Sequence, residues 1–433
     1  MPRASFILAS LGIIVFILLY VVSYSRSKYS SGSLQAPPIM THPGYTEEMD
    51  LHYLEQVITH ATMVLVKAAS SDGQWEFKRI KAIPRTPDSE DSSLSACLAQ
   101  GNAAWANNVG YLLRIALLEA QATISIILHI KGLDFSPYCP DLSRLARIRE
   151  YEELWRKEYR DVWHKQSNKD VGPSMGTDIW SVLFEMDLLL SMLNDEGMYH
   201  NRYREALRAL SEYLSVVQLR NGGYTYAIAG TSNPGVGRSV TVLTALCLLY
   251  LSRLRDAAIQ VDMTMLQAAA RAVKSAYRDG RGGYAYYSDM DVLDGEEGEK
   301  EILGRSVLCA LALHEYNRNN DSYELMKVML ERYINKAESL MGIFGREGHE
   351  GGDRAAAYYY HFGLYYATIA ALNIRGSEKD EYLRRLVRIL MKTRTDDGWF
   401  TDGTCHTQLY QTAFGVRLLS EVIKYCRERR KQH

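Results

Sequence analysis

Apolar and amphipathic stretches alternate through the second half of the chain. Tyr203–Gln218 carries its apolar residues on one side of a predicted helix, whereas Ser239–Leu251 is apolar almost all round. A helix that is apolar on every side must be buried. The pattern therefore predicts pairs of helices, in which an outer amphipathic helix shields an inner apolar one.

Each apolar stretch follows a turn that closes on an aromatic residue, and the turn is rich in glycine. These aromatic residues are Tyr224, Tyr284, Phe344 and Trp399; the first three are spaced by 60 residues and the last follows after 55. A period of this length, with a turn and a helix in every unit, indicates a repeat architecture. Because one unit cannot bury its inner helix alone, the units must stack, either as an open solenoid or as a closed ring.

The turns also resemble a known repeat. Gln218–Tyr224 reads QLRNGGY and is similar to the Q-x-x-D-G-G-W repeat of terpenoid cyclases and protein prenyltransferase β-subunits. Asp396–Trp399 is similar, with Thr393 at the Gln position, and Gln408–Phe414 resembles the inner helix of these families. The resemblance implies an all-α fold, an α/α toroid with a ring of inner helices inside a ring of outer ones.

The amino-terminal region has a different character. Ser5–Tyr24 is an apolar run without any charged residue. As a helix, a run of this length is long enough to cross a bilayer. A cleaved signal peptide is the alternative, because Ser23–Ser25 offers a weak cleavage site. We predict a membrane anchor at 1–26, a flexible linker at 27–45 and the toroid domain at 46–433. Basic residues flank both ends of the apolar run, so the positive-inside rule does not decide on which side of the membrane the toroid domain lies.

The amino-acid composition indicates which kinds of ligand or partner the protein could bind. The net charge is −1 and 47% of the residues are hydrophobic, which suits one large core and gives no reason to expect nucleic acid. The chain has 30 tyrosines against 9 phenylalanines, and tyrosine suits the lining of a half-wet cavity. No cofactor is expected, although zinc and magnesium are left open.

Two charged sets precede the predicted inner helices. Asp289 and Asp291 resemble the first half of the D-x-D-D acid of cyclases that start by protonation, but Val292 stands at the last Asp position, which favours the alternative of a solvated acidic loop. Arg238, Arg305 and Arg354 stand just before inner helices, where they would share one cavity mouth and bind an anionic group. The alternative is that each arginine braces its own repeat.

Two further sets are candidates for a ligand or a metal. Tyr358, Tyr365 and Tyr366 lie on one helical face and would line a pocket for a cation or a sugar, or simply pack. Cys405–His406 resembles the start of a helix that binds zinc in prenyltransferase β-subunits, with Asp353 near its partner's place. Half of that ligand set is missing, so these residues are weak metal candidates.

Three functions remain from the sequence. The first is a membrane-anchored protein, similar to terpenoid cyclases and prenyltransferases, that acts on or binds an isoprenoid or other lipid-like ligand in its central cavity. The second is a carbohydrate-active α/α barrel, an epimerase or lyase on an anionic polysaccharide, because Ser95–Asn102 resembles an inner-helix start of glucuronyl epimerases. The third is a non-catalytic toroid used for binding or as a scaffold. Fold alone does not choose among them.

Overall fold

The computed structural model describes the larger part of the predicted helical domain. The described residues are 50–67, 179–193, 200–225, 239–288, 295–343, 360–401 and 408–432, with 112, 113, 115–120 and 123. The chain divides into two compact units, Met1–Glu47 and Glu48–His433, and all described residues belong to the second unit.

The second unit is built from α-helices. The described helices are α1 (Leu51–Lys67), α2 (Ile179–Leu193), α3 (His200–Val217), α4 (Thr241–Asp256), α5 (Met263–Ser275), α6 (Gly295–Asn317), α7 (Asn320–Lys336), α8 (Tyr360–Leu372), α9 (Glu378–Met391) and α10 (Gln408–Gln432). Residues 112, 113, 115–120 and 123 are also helical. The described residues hold one sheet, in which β1 (Tyr277–Arg278) pairs antiparallel with β2 (Gly283–Tyr284). The predicted all-α class is therefore confirmed.

Buried and amphipathic helices alternate as predicted. Every residue of α8 from Tyr360 to Ala371 is buried, and so is every residue of α4 from Thr241 to Ser252. In α9 the buried positions follow one side of the helix, from Tyr382 to Leu390. This difference follows from the sequence, because α9 carries charged residues on the side that faces water, whereas these stretches of α4 and α8 carry no charged residue.

The inner helices form a continuous series of neighbours. α2 packs on α4, α4 on α6, α6 on α8, and α8 on α10. α10 also packs on α1, an amphipathic helix in which His52 and Gln56 are exposed. Each outer helix packs on two neighbouring inner helices: α3 on α2 and α4, α5 on α4 and α6, α7 on α6 and α8, and α9 on α8 and α10. The start of the unit meets its end, because Arg394 Nη2 lies 3.1 Å from His60 Nδ1 and Arg427 forms an ion pair with Glu55.

The inner helices α2, α8 and α10 run in the same direction. Trp180 at the start of α2 packs on Phe362 near the start of α8, and Phe184 packs on Phe414 of α10. One turn later, Asp187 accepts a hydrogen bond from Arg417. Residues further along α2 therefore contact residues further along α8 and α10. The interior can thus be divided into a layer near the amino-terminal ends of these helices and a deeper layer beyond it.

The repeat turns share one hydrogen-bond pattern. The backbone N–H of Tyr224 donates to Thr244 Oγ1 of the following helix, at 3.0 Å. Tyr284 donates to Ser306 Oγ in the same way, at 3.2 Å. The fully buried aromatic ring and the hydroxyl group together fix each inner helix to the turn before it. Phe344, the predicted third aromatic, lies outside the described residues.

The last turn corrects the predicted register. Phe400, not Trp399, donates its N–H to Thr412 Oγ1 and is fully buried, whereas Trp399 is half-buried. Gly222 and Gly398 both have positive φ, and the buried aromatic residue follows two positions later in each turn. Arg394, not Thr393, therefore stands where Gln218 stands. A glycine is needed for this backbone conformation, and its position sets the register.

The predicted anchor and linker lie outside the described residues. Within the described part of the chain, no helix is both long enough and apolar enough to cross a membrane.

Candidate functional site

Many predicted site residues lie outside the described part of the chain, so their roles stay predictions. These residues are Arg238, Asp289, Asp291, Asp353, Arg354, Tyr358, Cys405 and His406. Among the described residues, no group of three His, Cys, Asp or Glu side chains could hold a metal ion. His361 is described, and its Nε2 lies 2.9 Å from Thr393 Oγ1.

Arg305 is described, and it contacts a repeat turn. Its Nε donates to the carbonyl oxygen of Tyr284 at 2.9 Å, and its guanidinium lies 5.4 Å from the ring centre of Tyr286. Arg332 likewise donates to the carbonyl oxygens of Arg281 and Gly282. These bonds favour the bracing role for Arg305, and its role in anion binding stays a prediction.

An aromatic cluster fills the interior near the starts of α2, α8 and α10. The ring centres of Trp180 and Phe184 are 5.9 Å apart in a stacked arrangement, and Phe362 lies 5.6 Å from Phe414. Tyr410 packs on Phe414 at 4.9 Å. These five residues are called the aromatic cluster below. Trp180 is half-buried and the other four are buried, so the cluster extends inward from a partly exposed indole.

Two of the predicted tyrosines form the deep end of this cluster. Tyr365 packs on Phe414 at 5.6 Å and on Tyr366 at 5.0 Å, and Tyr366 packs on Phe362 at 4.7 Å. Both tyrosines are buried. Their hydroxyl groups reach the second feature of the interior, a buried ion network.

Arg417 is the centre of the buried ion network. Its side chain is 1% exposed. Nη1 donates to Asp187 Oδ2 at 2.7 Å, and Nη2 donates to Tyr365 Oη at 2.6 Å. Nε and Nη2 both donate to the carboxylate of Glu119, at 3.0 to 3.2 Å. The guanidinium also lies 4.3 Å from the ring centre of Tyr365. A buried charge of this kind must be paired, and here two carboxylates pair it.

Two tyrosines extend the network to α4. An ionised carboxylate can only accept, so Tyr250 Oη donates its proton to Asp187 Oδ2, at 2.9 Å. Tyr366 Oη must then donate to Tyr250 Oη, also at 2.9 Å. The network of Glu119, Asp187, Tyr250, Tyr365, Tyr366 and Arg417 therefore joins α2, α4, α8, α10 and the helix that carries Glu119.

The charges of the network are unequal, because one guanidinium faces two carboxylates. The pKa of Glu119 is raised to about 7, chiefly by burial; Arg417 lowers it, and the neighbouring carboxylates of Glu421 and Asp187 raise it. Asp187 has the shorter bond to Arg417 and a second bond from Tyr250. Glu119 is therefore the member of the network that takes up a proton as the pH falls towards neutrality.

This pKa predicts how stability depends on pH. The folded protein binds the proton of Glu119 more tightly than the unfolded chain does, so the stabilisation is complete below the unfolded pKa of 4.5 and is lost as the pH rises through about 7. The difference corresponds to roughly 3 kcal/mol. Glu119→Gln is expected to flatten this part of the stability profile, measured by denaturant unfolding between pH 5 and pH 8. An unchanged slope in the variant would assign the effect to other groups.

The sequence analysis missed Glu119, Asp187 and Arg417. Each is a charged residue inside an apolar run: Asp187 stands in VLFEMDLLL and Arg417 in AFGVRLL. A charge at a position that must be buried indicates a partner on another element. That signal was present, but it did not show which partner each charge would meet.

Comparisons with known proteins find similarity to solved structures only. No family model matches this chain, and no curated protein matches it. Solved structures of the type II terpene cyclase MstE from Scytonema are similar. The apo enzyme is 12% identical with a TM-score of 0.41, covering 86% of this chain and 99% of that chain. A variant in complex with geranylgeranyl dihydroxybenzoate is also 12% identical, with a TM-score of 0.42, covering 86% and 98%. This similarity is too low to assign a function to the chain.

Proposed function

We propose that this chain is a membrane-anchored α/α toroid protein that binds an isoprenoid or similar lipid-like ligand in its interior. The observation that carries the proposal is the aromatic cluster. Rings from three inner helices meet there, and the outermost ring, that of Trp180, is half-buried. Trp180 is the described ring of this cluster that an apolar ligand would meet first.

The chemistry of the cluster suits an unsaturated hydrocarbon chain. Aromatic side chains supply a large apolar area with little loss of conformational entropy, and their faces are electron-rich. Each methylene group that a ligand buries contributes about 0.8 kcal/mol, so a prenyl chain gains affinity without any polar contact. Tyr365 and Tyr366 end the apolar region, because their hydroxyl groups belong to the ion network.

Binding is favoured over catalysis by the state of the interior carboxylates. An acid that protonates an alkene must hold a proton it can release into the site. Asp187 instead accepts hydrogen bonds from Arg417 and Tyr250. Glu119 can hold a proton near neutral pH, but both of its oxygens are hydrogen-bonded to Arg417 rather than directed at the aromatic cluster. Asp289 and Asp291 remain the acids that a catalytic function would use, and formation of a cyclised product would establish that alternative.

The test uses the full chain extracted in detergent and geranylgeraniol as the probe. We expect wild-type protein to bind it, and Trp180→Ala to weaken binding about tenfold through lost apolar and ring contacts. Trp399→Ala is the matched control, because Trp399 is also half-buried but belongs to a repeat turn. The control is expected to bind like wild type.

Three outcomes would contradict the proposal. Wild-type protein that does not bind geranylgeraniol would favour the scaffold function. Equal losses in Trp180→Ala and Trp399→Ala would show that the aromatic cluster is not the site. Binding of an anionic polysaccharide in place of geranylgeraniol would support the carbohydrate-active alternative.

The anchor is proposed from the apolar run Ser5–Tyr24. Full-length protein is expected to stay in the membrane fraction after an alkaline wash, and a chain that starts at Ser33 is expected to be released. Amino-terminal sequencing provides the check, since a mature terminus at or after Ser25 would indicate cleavage and contradict an anchor.

A further inference from the structure

The repeat turns are covered by the outer helix of the next unit. In the turn before α4, a Cβ atom at Gly222 would lie 2.4 Å from the carbonyl oxygen of Ala268 on α5. In the turn before α6, a Cβ atom at Gly282 would lie 2.9 Å from Nη1 of Arg332 on α7. Both glycines have positive φ. An outer helix therefore closes over each of these two turns at the same position.

The last turn is covered by α1, the first described helix. Gly398 also has a positive φ, and a Cβ atom there would lie 3.0 Å from three atoms of the His60 ring. The same two elements meet again where Arg394 Nη2 lies 3.1 Å from His60 Nδ1. α1 thus takes the position of the next outer helix and closes the series of units. The contact of His60 with Arg394 and Gly398 is called the seam below.

The seam differs from the earlier turns in its chemistry. At the first turn, Gln218 Nε2 donates to the carbonyl oxygens of Gly222 and Met265, at 2.9 and 3.0 Å. At the second turn, Arg332 also donates to backbone carbonyl oxygens. Arg394 occupies the position of Gln218 in the last turn, but its partner is an imidazole nitrogen. The seam is therefore the described turn whose covering contact includes a group that titrates near neutral pH.

The bond between Arg394 and His60 requires a neutral imidazole. A guanidinium group only donates hydrogen bonds, so His60 Nδ1 is the acceptor and carries no proton. Protonation of Nδ1 would remove the bond and bring two cations into contact. Arginine keeps its charge at every pH at which proteins are folded, so the response to pH comes from His60.

The other charged groups at the seam are exposed to water or already paired. Asp396 and Asp397 of the last turn are exposed, so their attraction for an imidazolium ion is weak. Glu55, on the same helix as His60, forms an ion pair with Arg427 of α10. The remaining charged or titratable groups of α1, of the last turn and of α10 near these contacts are His52, Tyr53, Lys67, Lys392, Arg417, Glu421, Lys424 and Glu428.

We propose that the seam is a pH-sensitive latch, in which protonation of His60 releases α1 from the last repeat turn. An ordinary imidazole side chain takes up a proton near about pH 6.5, so the latch is closed above this pH and opens as the pH falls below it. The packing of α1 on α10 and the ion pair of Glu55 with Arg427 remain, so the change is a local opening. The latch does not depend on an isoprenoid ligand.

The sign of this effect separates the latch from the ion network. Arg394 disfavours a charged imidazole only in the folded protein, so the unfolded chain binds this proton more readily. The stabilisation by the seam is therefore complete above about pH 6.5 and is lost as the pH falls. Protonation of Glu119 has the opposite effect, because it stabilises the fold at low pH.

The experiment measures hydrogen exchange of the full chain by mass spectrometry at pH 7.5 and pH 5.5, with exchange times corrected for the intrinsic effect of pH. We expect the protection of α1 to fall by roughly tenfold at pH 5.5, as a lost hydrogen bond to a charged group implies. The buried helices α4 and α8 are expected to keep their protection.

Two variants and a control assign the response. Arg394→Gln places in the last turn the residue that Gln218 provides in the first, and it removes the cation from the seam. His60→Gln removes the titrating group. Both variants are expected to give α1 a protection that no longer depends on pH. Arg388→Gln is the control, because Arg388 is exposed on α9, and it is expected to respond like wild type.

The proposal is wrong if the protection of α1 in the wild-type protein is the same at both pH values. It is equally wrong if Arg394→Gln and His60→Gln retain the wild-type response, since another group would then be titrating. A merely structural seam would give variants whose α1 loses protection equally at both pH values while the ratio between them stays as in wild type. If Arg394→Gln does not fold, His60→Gln alone decides between these results.

Discussion

Arg417→Met is expected to lower the free energy of unfolding by about 3–5 kcal/mol, because it leaves two interior carboxylates without their cation. Arg417 is 1% exposed, Asp187 is 4% exposed and Glu119 is 13% exposed. Methionine is close to arginine in volume and would fill much of the space, so the effect would come mainly from lost charge rather than from a cavity. The measurement is denaturant unfolding of the helical domain at pH 7.

The matched control is Arg430→Met on the same helix. Arg430 is exposed, and surface substitutions of this kind change stability by no more than about 0.5 kcal/mol. Adding Glu119→Gln and Asp187→Asn to Arg417→Met removes the unpaired charges and should recover part of the loss. A network that does not stabilise the fold would show equal, small effects for Arg417→Met and Arg430→Met.

The second large effect is expected at the last repeat turn. Phe400→Ala should destabilise the protein by about 3–5 kcal/mol, because it removes a fully buried ring and leaves a cavity. Gly415 has no side chain where the ring packs, since a Cβ atom there would lie 2.4 Å from Phe400 Cδ2. The pocket for the ring is therefore provided by the inner helix itself. Thermal unfolding of the variant measures the loss.

Trp399→Ala is the control at the neighbouring position. Trp399 is half-buried, and its carbonyl oxygen accepts from the N–H of Thr395, a bond that alanine keeps. A smaller loss than for Phe400→Ala is expected. The opposite order would restore Trp399 as the closing aromatic residue of the repeat and would contradict the register seen in the structure.

The alternation of inner and outer helices could be predicted from the sequence, because burial on every side requires an apolar run such as Ser239–Leu251. The turns that end at Tyr224 and Tyr284 could also be predicted, because a pair of glycines directly precedes each of these aromatic residues. The last turn was misread because Trp399 occupies the place of the second glycine. Only the backbone conformation of Gly398 fixes that register.

The ion network could not be predicted in the same way. Arg417 is separated by 230 residues from Asp187 and by 298 residues from Glu119. A local pattern shows that each charge needs a partner, but the pairing depends on how distant helices pack. The predicted roles of Tyr365 and Tyr366 were therefore incomplete: their place on the inner helix α8 could be predicted, whereas their hydrogen bonds to Arg417 and Tyr250 could not.

The most direct test of ligand binding in the interior is photo-crosslinking of the full chain with a diazirine-bearing geranylgeranyl probe, followed by peptide mapping. The proposed function predicts labels in α2, α8 and the first half of α10, near Trp180, Phe362 and Phe414, and competition by unlabelled geranylgeraniol. Labels confined to the apolar run Ser5–Tyr24 or to the outer helices α3, α5, α7 and α9, with no competition, would contradict it.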